Sequence, residues 1–167
     1  MNDLIQKKRK MCLWDSWVDI DELCVDTMSY LNETLKLKTF GSCCGDKETP
    51  YIAFYVFNKD SLFPLLAFLK KMFRFKKNFE IKPIDNELGK GLSIYFNPGA
   101  FDRKPIDWSK RRFKEEGFAY FWSYLYENIK GFDPKNVPKK DVQDIILKCN
   151  KCGFIGKTDM EVVKDGF

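Results

Sequence analysis

Phe79-Glu80-Ile81-Lys82-Pro83-Ile84, then Asn86-Glu87-Leu88-Gly89-Lys90-Gly91, then Leu92-Ser93-Ile94-Tyr95-Phe96 is the stretch on which the fold turns. Two apolar runs flank a segment punctuated by Asn and Gly, which predicts a β-hairpin and therefore antiparallel pairing. Pro83 has no N–H for a second neighbour, so the first strand belongs at a sheet edge. Upstream, residues 51–57 are aromatic and β-branched and read as a buried strand. Asp60 or Ser61 then opens a helix whose apolar face is Leu62, Leu65, Leu66, Leu69, Met72 and Phe73, with Pro64 placed in its first turn. Further upstream, Ile20, Leu23, Cys24, Thr27, Met28 and Leu31 recur at helical spacing. Asp19 and Glu22 resemble a capping box, so this helix is expected over about 20–33, with an extended segment at 39–41 after it.

Downstream, Asn97-Pro98-Gly99 opens a loop, and a third helix is expected over about 108–129 with Phe118, Phe121, Trp122, Leu125 and Ile129 inward. Helices alternating with antiparallel strands predict an α+β fold: two layers, a mixed sheet of about four strands on three helices. Residues 1–132 form the expected domain. A Pro/Lys-rich linker at 133–140, a short helix ending near Leu147 and the Cys149-Asn150-Lys151-Cys152-Gly153 knuckle make a C-terminal appendage over 133–167.

The chain has 167 residues and no histidine, which removes Ser-His-Asp triads, Cys-His dyads and HExxH sites. Aromatic residues make up 16%, sixteen of them Phe, more than a core of this size ordinarily needs, so a stacking surface is one use for the surplus. No run approaches the ~20 apolar residues of a membrane helix, and Met1 to Lys10 lack the apolar core of a signal peptide. A cytoplasmic protein with no membrane partner is the expectation; the oligomeric state is open.

The net charge of +5 allows a nucleotide or nucleic-acid partner without demanding one. Cations cluster at Lys7 to Lys10, at Lys70, Lys71, Arg74, Lys76 and Lys77, and at Lys110, Arg111, Arg112 and Lys114. If the second helix reaches Lys77, then Lys70, Arg74 and Lys77 share one face. Arg111 and Arg112 fall in the first turns of the third helix, where amide dipoles also favour phosphate. Together these residues form a candidate anion-binding surface, with Tyr120 and Tyr124 as candidate stacking rings. The alternative is that they are solvated helix faces.

Six cysteines stand at 12, 24, 43, 44, 149 and 152. Cys149 and Cys152 have the spacing of half a zinc ribbon, and Cys43 and Cys44 are the candidates to complete a structural zinc site. Free thiols are the alternative in a reducing compartment. Small residues mark Thr39-Phe40-Gly41-Ser42-Cys43-Cys44-Gly45-Asp46 as a candidate ligand loop, with Thr39, Ser42, Cys43, Gly45 and Asp46 as its functional members.

A Lys8-Arg9-Lys10 start, the acidic Asp19, Leu31-Asn32 and the Thr39 to Gly45 loop together resemble the tRNA wybutosine-synthesis methyltransferase family over about forty residues. The Ser-Cys-x-Gly loop is also similar to one in small phage and archaeal proteins. The methyltransferase resemblance implies S-adenosylmethionine beside the 39–46 loop, with Tyr51 or Phe54 as a wall for its adenine. The chain carries no glycine-rich cofactor signature and has Asp46 where that family has arginine. A small binding protein, phage- or mobile-element-encoded, for a nucleotide or nucleic acid is therefore the first reading, and a methyltransferase the second.

Overall fold

The computed structural model describes residues 7–45, 50–73, 79–86, 89–96 and 111–151. The chain opens with a hairpin of β1 (Lys8–Leu13) and β2 (Ser16–Asp21). An irregular helix follows: a 3-10 turn Glu22–Cys24, α1 (Val25–Ser29) and a π turn Tyr30–Thr34. Next come β3 (Thr39–Cys43), β4 (Tyr51–Tyr55), α2 (Lys59–Met72), β5 (Phe79–Asn86) and β6 (Gly89–Phe96). The described chain ends with α3 (Arg111–Ile129), a 3-10 turn Pro134–Asn136 and α4 (Lys139–Lys151). This is an α+β fold with one four-stranded and one two-stranded sheet.

The larger sheet has the order β3-β4-β6-β5 and is antiparallel throughout, rather than mixed. β5 is an edge strand, as Pro83 requires. Ile52 faces Ile94, Phe54 faces Leu92, and Phe79 and Ile81 face Phe96 and Ile94. Side chains alternate along a strand, so this one register puts all seven apolar residues on a single face, and each is buried. Leu31, Leu65, Leu69, Leu125 and Ile129 meet Ile52, Phe54, Ile94 and Phe96 there, which sets the first three helices against the same side of the sheet. Burying each large apolar side chain contributes roughly 1.5–3 kcal/mol.

Much of the aromatic surplus is used in this layer. Phe96 lies 5.3 Å from Phe73 and 5.1 Å from Phe121, and Phe121 lies 5.3 Å from Trp122. Gly91 lets β6 pass close to β4, because a Cβ there would stand 2.0 Å from the Phe54 carbonyl oxygen.

Four expectations need correction. Ile20 and Asp21 belong to β2, where they pair with Arg9 and Lys8, so the first helical turn starts at Glu22. Asp19 is accordingly a strand residue opposite Lys10 and caps nothing, while Glu22 takes the Arg9 guanidinium instead of a helix amide. α2 starts at Lys59 and ends at Met72, so Pro64 is its sixth residue and costs one helical hydrogen bond. That helix end falls short of Lys77; Arg74 and Lys77 lie outside the described residues. α4 runs past Leu147 because Val142, Ile145, Ile146 and Cys149 continue one apolar stripe, and all four are buried. The stripe packs on α2 and joins the main core cluster. Among the described residues no helix is long and apolar enough to cross a membrane.

Candidate functional site

The first hairpin turns through two residues, Trp14 and Asp15, both at positive φ (51° and 63°). Two such residues match the right-handed twist of the flanking strands and give a tight return. The turn is pinned by its own tryptophan. Trp14 Nε1 donates to the Leu37 carbonyl at 2.9 Å and to Asn32 Oδ1 at 3.1 Å. Asn32 is buried in the π turn and uses both ends of its amide. Its Nδ2 donates to the Met28 carbonyl at 2.8 Å and to Thr39 Oγ1 at 2.9 Å, and its Oδ1 accepts from Thr39 N at 3.2 Å. One side chain therefore ties the hairpin tip, the helix and the start of β3 together. π turns recur at functional sites because they re-aim side chains in this way. At the other end, the buried Asp21 carboxylate accepts from Cys44 N at 2.9 Å.

These two anchors hold β2 alongside β3, start to start and end to end, without joining them into one sheet. A cleft of about 370 Å³ lies here, within the size range of small-molecule sites. Leu13, Ser16, Val18 and Ile20 line it from the hairpin; Lys38, Thr39, Phe40, Gly41, Ser42 and Tyr55 line it from the sheet, with Trp14 and Met28 completing it. Asp19 also borders it. Phe40 occupies a register shift in β3, and such a bulge redirects a side chain. Its ring lies 4.6 Å from that of Tyr55, and Lys38 Nζ lies 5.5 Å from the Tyr55 ring centre. The side-chain wall thus holds three aromatic rings and one cation.

The ligand loop is partly assembled here. Thr39 and Ser42 border the cleft, and their hydroxyls also engage Asn32 and the Cys24 sulfur respectively. Burial, reinforced by Cys44, Asp21 and Cys43, pushes the Cys24 thiol well above its ordinary range, against the Ser42 hydrogen bond. Cys24 is therefore a core thiol. Cys43 is half-buried and its sulfur accepts from Gly45 N at 3.4 Å. Gly45 has φ +112°, and a Cβ there would stand 2.6 Å from the Phe118 ring. Trp122 Nε1 fixes the same corner by donating to the Cys44 carbonyl at 3.1 Å. Asp46 lies outside the described residues. Phe54 is fully buried on the helix-facing side and is no wall of this cleft; Tyr55 and Phe40 stand there instead.

The other candidates are placed apart from it. Cys43 ends β3 with Cys44 next to it, Cys149 is buried on α4, and Cys152 lies outside the described residues; among the described residues no three Cys, Asp or Glu are grouped to hold a metal ion. Lys70 is exposed near the end of α2, and Arg111 and Arg112 are the first two residues of α3. Tyr120 is 62% exposed and stacks on Tyr124 at 6.3 Å. Arg111 and Tyr120 stand nine positions apart on α3, a rise of about 13.5 Å at 1.5 Å per residue. Two members of the first basic cluster are paired: Arg9 with Glu22, and Lys8 at 3.8 Å from Asp21.

Trp14, Lys38, Phe40 and Tyr55 were not legible as site residues in the sequence. The one local signal was Lys36-Leu37-Lys38-Thr39-Phe40, cations and an aromatic leading into the loop. Comparison with family models, curated proteins and solved structures finds no match to this chain.

Proposed function

We propose that the protein binds a nucleotide unit in the cleft between the first hairpin and β3. The observation that carries this reading is the lining itself: Trp14, Phe40 and Tyr55 offer ring faces, and Lys38 offers a cation. Among the described residues Lys38 forms no ion pair, and Asp19 is the one acidic residue bordering the cleft with it. Aromatic walls suit a base, whose stacking contributes ~1–3 kcal/mol, and the ammonium suits its phosphate. The exposed edge of β3 adds backbone donors and acceptors for the base edge.

Titration calorimetry with the four ribonucleoside monophosphates at low salt tests this. Binding of at least one is expected, with weaker affinity and a flatter salt dependence in Lys38→Gln, and loss of affinity in Tyr55→Leu. Absence of heat and of thermal stabilisation with all four overturns it. The Thr39 and Ser42 positions that carry the methyltransferase resemblance border this same cleft, which favours one second reading, an S-adenosylmethionine site. Titration with the methyl donor and with its demethylated product separates the two readings.

A further inference from the structure

The mouth of the cleft continues into a strip of exposed rings and cations. Trp14 is 41% and Phe57 43% exposed, and their rings meet edge to face at 5.3 Å. Both are held from behind. The Trp14 indole is hydrogen-bonded to Leu37 and Asn32, and Phe57 N donates to the Tyr55 carbonyl at 2.9 Å. Asn58, next in the chain, donates through Nδ2 to the Leu35 and Lys36 carbonyls at 3.0 and 3.3 Å. That bond draws Lys36, at φ 55°, beside Phe57. Lys36 and Lys38 are both exposed, and neither forms an ion pair among the described residues, in contrast to Lys8 and Arg9. Two adjoining aromatic rings open to water beside exposed cations make a surface suited to a partner.

We infer that this strip, Trp14, Phe57, Lys36 and Lys38, holds a second nucleotide, so that the ligand is a single-stranded nucleic acid with one base in the cleft and its neighbour outside. The inference rests on the nucleotide reading of the cleft and extends it. The strip offers both rings and cations, as sequence-tolerant single-strand binding requires, because every base has a face to stack and every link a phosphate to neutralise. The charge is complementary: Lys38 serves the phosphate of the nucleotide in the cleft and Lys36 that of its neighbour, on a chain of net charge +5.

A ladder of 5′-phosphorylated oligouridylates and oligoadenylates of one to four nucleotides, measured on the intact chain, tests the inference. The step from one nucleotide to two or three is expected to tighten binding by about 5- to 160-fold, the equivalent of stacking one further base. Phe57→Ala and Lys36→Asn should remove that step while leaving affinity for the monophosphate within about twofold. Asparagine tolerates the left-handed backbone at position 36, so its effect reports charge and not strain. A ladder with no step, or a step that survives both substitutions, overturns the inference and leaves the cleft's own reading standing. Failure of the native protein to bind any rung, the monophosphate included, overturns both.

Discussion

Asn32 carries more structure than its place in the sequence suggests. Leu31-Asn32 was visible as a motif, but a polar residue at a helix end ordinarily faces water. Here the π turn rotates it inward, where it contacts residues drawn from three elements. No local rule predicts that turn, because it depends on where the hairpin and β3 arrive. Replacing the side chain removes two bonds to the half-buried Thr39 and one to the Trp14 indole, and each such bond contributes about 0.5–1.5 kcal/mol net. Asn32→Ala is accordingly expected to lower stability by about 2–4 kcal/mol. Urea unfolding checks this, with a shifted midpoint and an unchanged slope. The Trp14 emission should shift to the red as the hairpin tip loosens. An unchanged midpoint would mean that the Trp14 bond to Leu37 holds the tip unaided.

At the scale of elements, legibility followed local pattern. β4 was readable from its aromatic and β-branched run, β5 and β6 from the apolar runs that flank an Asn- and Gly-punctuated turn, and Pro83 correctly marked an edge. The α2 and α3 stripes were readable from their helical spacing. The first hairpin was not, because β1 opens Lys8-Arg9-Lys10 and reads as a charge run. Its turn carries Trp14 where asparagine or glycine would have signalled the fold. The periodicity of the following helix also overran into Ile20, which is apolar for the sake of the strand face and not the helix. A left-handed conformation costs an L-residue roughly 1–2 kcal/mol, less for Asp. Asp15→Gly, at φ 63°, should therefore stabilise the protein by about 0.5–1 kcal/mol. Thermal denaturation reads this as a rise in Tm. A fall would show that the Asp15 side chain contributes more to the turn than its backbone costs.

Across the whole molecule, the sequence offered charge and composition, and the structure redistributes both. Net charge pointed toward an anionic partner, yet two of the four cations of the first cluster pair with Asp21 and Glu22 at the end of the hairpin. Exposed cations beside the cleft come instead from two isolated lysines that no cluster count would select. The C-terminal segment shows the same limit. A Pro/Lys-rich stretch reads as a linker, but Asp133 caps a 3-10 turn by accepting from Lys135 N at 3.0 Å, and α4 then returns onto α2. Ile145 is fully buried at that contact. If α4 were an independent appendage, truncating Ile145 would loosen only α4 and leave the sheet unaffected. Because its stripe joins the core shared with α2, Ile145→Ala is expected to lower global stability by about 2–5 kcal/mol, the usual cost of such a cavity. Hydrogen exchange distinguishes the outcomes. Amides of β4 and β6 should lose protection together with those of α4 if the chain unfolds as one unit, whereas protection lost in α4 alone would place a boundary near residue 133.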